Sequence, residues 1–255
     1  MSTALIGHTG FVGGTLDRAA AFTDRFNSAT INSISGRHFD LIVCAGVSAV
    51  KYLANRDPDS DRAGIARLTG PLANVTADEF VLISTIDVYP DPEAALDEDA
   101  VLDPAANHAY GRHRLELERW VQDRFARVRI IRLPALFGPG LRKNALFDLL
   151  HDNQVGNINP AGSFQWYPTS RLWQDIAIAR ANGLARANLF PAPLPMSRII
   201  DAFFPGAAIG PSTHPAPRYD LRTRHAELFG GTGGYVMGAD AVLSAMADFV
   251  AEQRA

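Results

Sequence analysis

Residues 3–13 read Thr3-Ala4-Leu5-Ile6-Gly7-His8-Thr9-Gly10-Phe11-Val12-Gly13. A short apolar run ends in glycine, two further glycines follow at three-residue intervals, and Phe11 to Phe22 has helical spacing. Glycine lets a backbone turn sharply and approach a phosphate closely. The helix that follows offers unpaired N–H groups and a partial positive charge to an anion. A GxxGxxG pattern alone says little, because ordinary turns also need glycine. Its place at a strand-to-helix junction points to a dinucleotide.

Working outward, a second short strand is expected at Arg25 to Ser28 and a single helical turn through Ile31 and Ile34, capped by Ser28 or Thr30. Leu41 to Ala45 is continuously apolar, as a strand buried on both faces would be. Helices are predicted at 47–56 and 60–74, separated by the breaker Asp57-Pro58-Asp59. A buried strand follows at Phe80 to Ile83, then a loop from Tyr89 to Asn107, a helix over 108–125 and a strand at Val128 to Leu133 stopped by Pro134. Alternating strands and helices predict an α/β fold, a Rossmann-like doubly wound parallel sheet. Beyond Gly140 the pattern loosens, with helices expected at 143–151, 170–187, 197–204 and 239–253. Phe229 to Gly238 carries five glycines but no strand precedes it, so it reads as a loop. The expected organisation is a dinucleotide-binding core over 1–138 and a small C-terminal substrate lobe over 139–255, interleaved with the last core elements.

The chain has 255 residues, 47% of them hydrophobic, enough to bury a substantial core. Its 24 basic and 27 acidic residues leave a net charge of −3, which argues against a nucleic-acid partner. Of the basic residues 22 are arginine, and Lys51 and Lys143 are the two lysines, so lysine chemistry has two candidates. The single cysteine, Cys44, lies in an apolar run and reads as a buried, inert thiol. No apolar stretch approaches the ~18 residues of a membrane span. With no basic region or signal peptide at the N-terminus, a cytoplasmic protein without membrane association is expected.

Further motifs stand in order along the chain: Cys44-Ala45-Gly46, Ser84-Thr85-Ile86-Asp87-Val88-Tyr89, Tyr110-Gly111-Arg112-His113-Arg114-Leu115-Glu116, Arg132-Leu133-Pro134-Ala135-Leu136-Phe137-Gly138-Pro139-Gly140, Leu172-Trp173-Gln174-Asp175-Ile176-Ala177 and Asp220-Leu221-Arg222-Thr223. Together with Gly7 to Gly13, the chain resembles the extended short-chain dehydrogenases, a family of nucleotide-sugar epimerases, dehydratases and reductases. The resemblance covers nearly the whole chain.

The resemblance implies NAD or NADP as cofactor, a nucleotide-activated sugar as substrate and a homodimer built on the 60–74 and 108–125 helices. It implies a tyrosine that exchanges a proton with the substrate oxygen while hydride moves, and a Ser or Thr hydroxyl that polarises that oxygen. These roles fall to Tyr110 and Thr85. The residue four after the tyrosine, a proton-relay lysine in the family, is Arg114. Spacing of i to i+4 puts Tyr110 and Arg114 on one helix face. A phenol of pKa about 10 needs a positive neighbour to act as a base at neutral pH, and arginine supplies the charge. Arginine does not deprotonate, however, so it does not pass a proton on. Its fork suits the nicotinamide ribose hydroxyls. Lys51, soon after the cofactor-lining strand, reads first as a solvated lysine, with extension toward the site to compensate as the second reading. His108 and His113 have no carboxylate companion at ligand spacing, and no metal site is expected.

The cofactor is expected to meet Gly7, Thr9, Gly10, Phe11, Val12, Gly13, Asn27, Ser28, Ala45, Gly46, Ser84, Tyr110, Arg114 and Pro134. No acid stands at the end of the second strand to hold a ribose 2′-hydroxyl. Arg25, Asn27, Ser28 and Arg37 are placed to accommodate a 2′-phosphate, a lean toward NADP. The family's dehydratases carry Thr-Asp-Glu where this chain has Thr85-Ile86-Asp87. Elimination is therefore disfavoured, and epimerisation or keto reduction is expected. The substrate side is expected to use Asp87, Arg142, Asn144, Tyr167 and Arg171, since guanidinium forks suit phosphates and aromatic faces suit bases. The acidic run Asp97-Glu98-Asp99 reads as a solvated lid. Arg114 and a shortened adenosine region also fit a second reading, a catalytically degraded dinucleotide-binding protein with a sensing or assembly role.

Overall fold

The computed structural model describes residues 1–210 and 215–254. In chain order the elements are β1 (Thr3–Ile6), α1 (Phe11–Ala19), β2 (Asp24–Phe26), β3 (His38–Cys44), α2 (Lys51–Arg56), α3 (Pro58–Leu72), β4 (Thr76–Thr85), α4 (Ala109–Arg124) and β5 (Val128–Leu133). Then come β6 (Ala135–Phe137), α5 (Ala145–Leu150), β7 (Ser163–Pro168), α6 (Leu172–Ala181), β8 (Arg186–Asn188), β9 (Pro193–Pro195), α7 (Met196–Phe203) and α8 (Ala239–Arg254). By contact density the chain forms two compact units, each assembled from separate stretches.

The first unit comprises Met1–Pro90, Ala100–Arg132 and Trp173–Ala187. It is built on a six-stranded parallel sheet ordered β2-β1-β3-β4-β5-β8, a Rossmann-like α/β fold. β1 is the hinge of the order: it pairs with β2 through Ala4 to Ile6 and, on its other side, with β3, where Leu5 faces Val43. Order therefore reverses about β1, and the crevice beyond its C-terminal end is where such sheets bind ligands. Ala4, Ile6, Ile42, Cys44, Phe80, Leu82 and Ile130 form one buried cluster with Leu68, Leu72, Leu117 and Val121 of α3 and α4. Residues so nearly inaccessible on both sheet faces explain why these strands read as unbroken apolar runs.

Several boundaries move from their expected places, each for a local reason. α3 begins at Pro58 rather than residue 60, because proline at the first helical position forfeits no bond and Asp57 caps the turn by accepting from the Ser60 amide at 3.1 Å. α2 begins at Lys51, four residues late. The helix expected over 170–187 is two elements. α6 stops where Leu184 N–H reaches back to the Ala179 carbonyl and Gly183 takes φ +67°, a helix-ending pattern that releases the chain into β8.

The second unit comprises Asp91–Asp99, Leu133–Leu172 and Asn188–Ala255. Its three-stranded sheet is ordered β6-β7-β9, with β6 parallel and β9 antiparallel to β7. Phe137, Trp166, Leu194, Ile199, Met246 and Phe249 are among its core residues. The acidic run is no solvated lid. Glu98 is buried and accepts from the Asn188 amide, the Thr223 hydroxyl and the Arg224 amide at 2.7, 2.7 and 3.0 Å, while Asp99 pairs with Arg224. Glu98 therefore ties three stretches of this unit together. No described helix is long and apolar enough to cross a membrane.

Candidate active site

The glycine loop has the geometry its sequence implies. Gly7 turns with φ +86°, and a Cβ there would lie 2.5 Å from the Ala45 carbonyl oxygen. At Gly13 a Cβ would overlap the Gly7 carbonyl, so α1 can pack this closely on the loop only with glycine. Gly10, the N-cap of α1, differs: its nearest neighbour would be an ordinary 3.4 Å away, so its side is clear for a ligand rather than filled by the fold. The first turn of α1 holds no acidic residue and no side chain caps it, which leaves its amides for an anion.

These residues open on a cavity of about 550 Å³ lined by Gly7, Thr9, Gly10, Asn27, Ser28, Ala45 and Gly46 on the strand ends. Ile31, Leu53, Asp61, Ile65 and Leu68 close its other side. Glycines beside β1, apolar side chains farther along and a helix N-terminus are what a dinucleotide's pyrophosphate and base require. The donor set and the space therefore fit that cofactor. Phe11, Val12 and Gly13 begin α1 without lining the cavity wall, and Thr85 and Tyr110 also lie outside its lining.

Two residues offered to a 2′-phosphate are already engaged. Arg25 donates to Asp17 at 2.5 Å, and Arg37 pairs with Asp24 at 2.7 Å while stacking on Phe39. The Arg37 pair also holds the Asp24 carboxyl below its usual range despite some opposing desolvation. Asn27 and Ser28 remain on the cavity, though the Asn27 carbonyl is occupied by the amides of Ala29 and Thr30.

β4 ends at Thr85, and a 3-10 turn over Ile86–Val88 carries Asp87. α4 starts opposite, capped by His108 Nδ1, which accepts from the Gly111 amide at 3.1 Å. Gly111 is required here: a Cβ would collide with the Asp87 carbonyl oxygen and lie 2.5 Å from Asn107 Nδ2. The glycine beside Tyr110 thus lets α4 press against the Thr85 segment, which brings the Thr85 side chain near enough to act on the Tyr110 phenol. Tyr110 is 6% exposed. Burial pushes its phenol above the ordinary value, and the Arg114 charge pulls it back without cancelling that rise.

Arg114 does not reach outward toward a ribose. Its guanidinium carbon lies 3.9 Å from the Tyr110 ring centroid, one Nη grips Asp61 Oδ2, and the other donates to Asp61 Oδ1 at 2.9 Å and to the Ser48 carbonyl at 2.5 Å. His113 is buried and bonds the same carboxylate through Nδ1 at 2.7 Å. Burial raises the Asp61 carboxyl, but bonds and charge from Arg114 and His113 outweigh it and hold it below its usual range. Arg114 thus keeps a permanent positive charge over the tyrosine face, with both ends of its fork committed. The sequence reading missed Asp61. The i+3 and i+4 positions after Tyr110 were visible, but nothing in one sequence tied them to a carboxylate on α3.

Lys51 is not solvated on its own. Its ammonium donates to Asp87 at 2.7 Å, with the two side chains 39% and 15% exposed. Asn55, one turn along α2, accepts from the Tyr110 amide at 2.9 Å. α2 therefore reaches the start of α4 with one face. Asp87, expected on the substrate side, is a partner of Lys51 beside Tyr110. Ser84, expected to meet the cofactor, donates to buried Glu118 at 2.5 Å, and Arg132 forks onto the same carboxylate and bonds the Tyr89 hydroxyl.

The remaining expected residues lie in the second unit. Tyr167 is fully buried there, so it is core rather than a stacking surface for a base. Asn144 caps α5 through the Phe147 amide and donates to the Leu136 carbonyl, which uses both ends of its amide. Arg171 donates to the Phe229 carbonyl at 2.7 Å. Pro134 is buried, and Arg142 is exposed.

No family model matches the chain, and no curated protein matches it in sequence. Solved structures match it over its length. A dTDP-glucose 4,6-dehydratase from Streptomyces venezuelae, with NAD bound, aligns at TM-score 0.75 and 17% identity over 100% of this chain and 97% of that one. A dTDP-4-dehydrorhamnose reductase from Yersinia enterocolitica aligns at 0.72 and 14% over 98% and 99%. The RMD protein of Pseudomonas aeruginosa, complexed with NADPH, aligns at 0.68 and 17% over 99% and 100%. The fold is theirs across the whole chain.

Proposed function

We propose that this protein is an NAD(P)-dependent oxidoreductase or epimerase of the extended short-chain dehydrogenase type, moving hydride at a hydroxyl or keto carbon of a nucleotide-activated sugar. The observation that carries this reading is the close approach of the Tyr110 end of α4 to the Thr85 segment, in the same unit as a cavity of about 550 Å³ lined by the glycine loop. Whole-length likeness to dehydratases and reductases of nucleotide sugars supports it.

When bound, a nicotinamide dinucleotide supplies or accepts the hydride. Gly7, Gly10 and the first turn of α1 would hold its pyrophosphate, and Asn27 and Ser28 would meet its adenosine ribose. Thr85 fixes the substrate oxygen by hydrogen bonding. Tyr110 gives that oxygen a proton in reduction and takes one in oxidation, a role worth about 10²- to 10⁴-fold in rate. Arg114 stabilises the transient phenolate across the ring face. Ile86 in place of an acid leaves Asp87 as the one carboxylate of that motif, and its bond to Lys51 disfavours elimination. Arg142 and Arg171 are assigned to the nucleotide phosphates. With Arg25 and Arg37 ion-paired, the choice between NAD and NADP rests on Asn27 and Ser28. A homodimer in the cytoplasm, serving polysaccharide assembly, completes the reading.

The test is a panel of dTDP- and UDP-sugars with both cofactors, following nicotinamide absorbance and product stereochemistry. A reductase consumes the absorbance; an epimerase leaves it flat and changes the sugar. Tight dinucleotide binding with no product from any sugar would favour a binding protein that has lost its chemistry.

A further inference from the structure

We infer that Lys51, held by Asp87, is the residue that recharges Tyr110 with its proton, in place of the arginine that stands four residues after the tyrosine. The inference rests on the hydride-transfer reading above and extends it to a residue on a different element.

Four observations converge. Arg114 has the position but not the chemistry, since a guanidinium keeps its protons and here both ends of the fork are fastened to Asp61 and Ser48. Lys51 and Lys143 are the two lysines of the chain, and Lys51 lies in the same unit as Tyr110. Lys51 and Asn55 are one helical turn apart on α2, and both point at the start of α4: Asn55 takes the Tyr110 amide while Lys51 grips Asp87. Asp87 in turn is fixed beside the reacting pair, its own amide donating to Thr85 Oγ1 at 3.2 Å. At 39% side-chain exposure Lys51 also reaches solvent, from which it can be reprotonated.

The step balances. In reduction the Tyr110 O–H bond breaks as an O–H bond forms on the substrate oxygen, and hydride from the reduced nicotinamide completes the alcohol. The Lys51 Nζ–H bond then breaks and the phenolate regains its proton. The neutral amine takes a proton from water. Oxidation runs each transfer backward. Asp87 orients Lys51 and keeps it cationic between turnovers. Lys51 pairs with Asp87 on the 3-10 turn and acts electrostatically on His108 and Tyr110 at the start of α4, two groups that also feel the Arg114 charge.

The low lysine count makes the test clean. Protein carrying [13Cε]lysine gives two signals, and Lys143→Arg assigns them. Coupling predicts that Tyr110→Phe displaces the Lys51 titration curve by about half a pH unit or more, downward because the phenolate no longer favours the ammonium. Curves that superimpose overturn the inference without any substrate. On a sugar nucleotide turned over in the dTDP/UDP panel, Lys51→Met and Lys51→Arg should each lower kcat about 10²-fold with little change in KM. Added ethylamine should recover tenfold or more for Lys51→Ala. Full turnover in Lys51→Met with an unchanged pH profile overturns the inference while leaving the Tyr110 assignment standing. Full turnover in Tyr110→Phe instead removes the reading on which it rests.

Discussion

The Arg114–Asp61 pair gives the sharpest prediction about stability. Both side chains are nearly inaccessible, at 5% and 7%, and three donors converge on the carboxylate. Arg114→Met removes two of them, strips the cation from the Tyr110 ring and leaves Asp61 with His113 alone. Breaking one side of a buried pair costs about 3–5 kcal/mol; the surviving His113 bond places this case near the lower end, about 3 kcal/mol. For a chain of this size that corresponds to roughly 6–12 °C in Tm. The sign of the pH dependence follows from Asp61, whose folded carboxyl is held below its usual range. Its contribution is present above the unfolded value of about 4 and disappears as pH falls through the folded one. Urea unfolding at a series of pH values should therefore show the wild type and Arg114→Met well separated at neutral pH and converging in acid. Adding Asp61→Leu to Arg114→Met should recover most of the loss, because it removes the uncompensated charge. A gap under 1 kcal/mol at pH 7, or one that persists unchanged into acid, would refute the reasoning.

Three further outcomes follow from the same geometry. Gly13→Ala forces a methyl into the Gly7 carbonyl, so NAD binding by calorimetry should weaken at least tenfold, with a loss of stability. Gly111→Ala drives α4 off the Asp87 carbonyl and separates Tyr110 from Thr85; kcat should fall about 10²-fold while dinucleotide affinity, measured separately, changes little. Cys44 is buried and its thiol is pushed up to about 11, so iodoacetamide should label it only after unfolding. Rapid labelling of the native protein would place that strand at the surface.

What could be read beforehand was whatever repeats locally. The cores of β1, β3 and β4 announced themselves as apolar runs, and Gly7, Gly10 and Gly13 as a loop, because each is decided by a few adjacent residues. Tyr110 and Thr85 are singled out by the family resemblance, and the fold brings their two segments together. The fate of Arg114 was not legible, since it depends on Asp61, more than fifty residues away in sequence and adjacent only once α3 and α4 pack. Glu98 was misread for the same reason: three acids in a row suggest solvent, and only folding brings Asn188, Thr223 and Arg224 to one of them. β8 overlaps the helix predicted over 170–187, and the residue that separates them is Gly183, whose φ of +67° ends α6. Tyr167 had the right chemistry for stacking, but its burial places it in the core of the second unit.

The central claim is that Tyr110 exchanges a proton with a sugar oxygen as hydride passes to or from a nicotinamide. A single-turnover reaction with 4-deuterated reduced nicotinamide, run on the panel of dTDP- and UDP-keto sugars with wild type and Tyr110→Phe, tests it most directly. The account predicts deuterium on the sugar carbon with wild type, and a rate at least 10²-fold lower with Tyr110→Phe at nearly unchanged cofactor affinity. Equal deuterium transfer by the two proteins would contradict it.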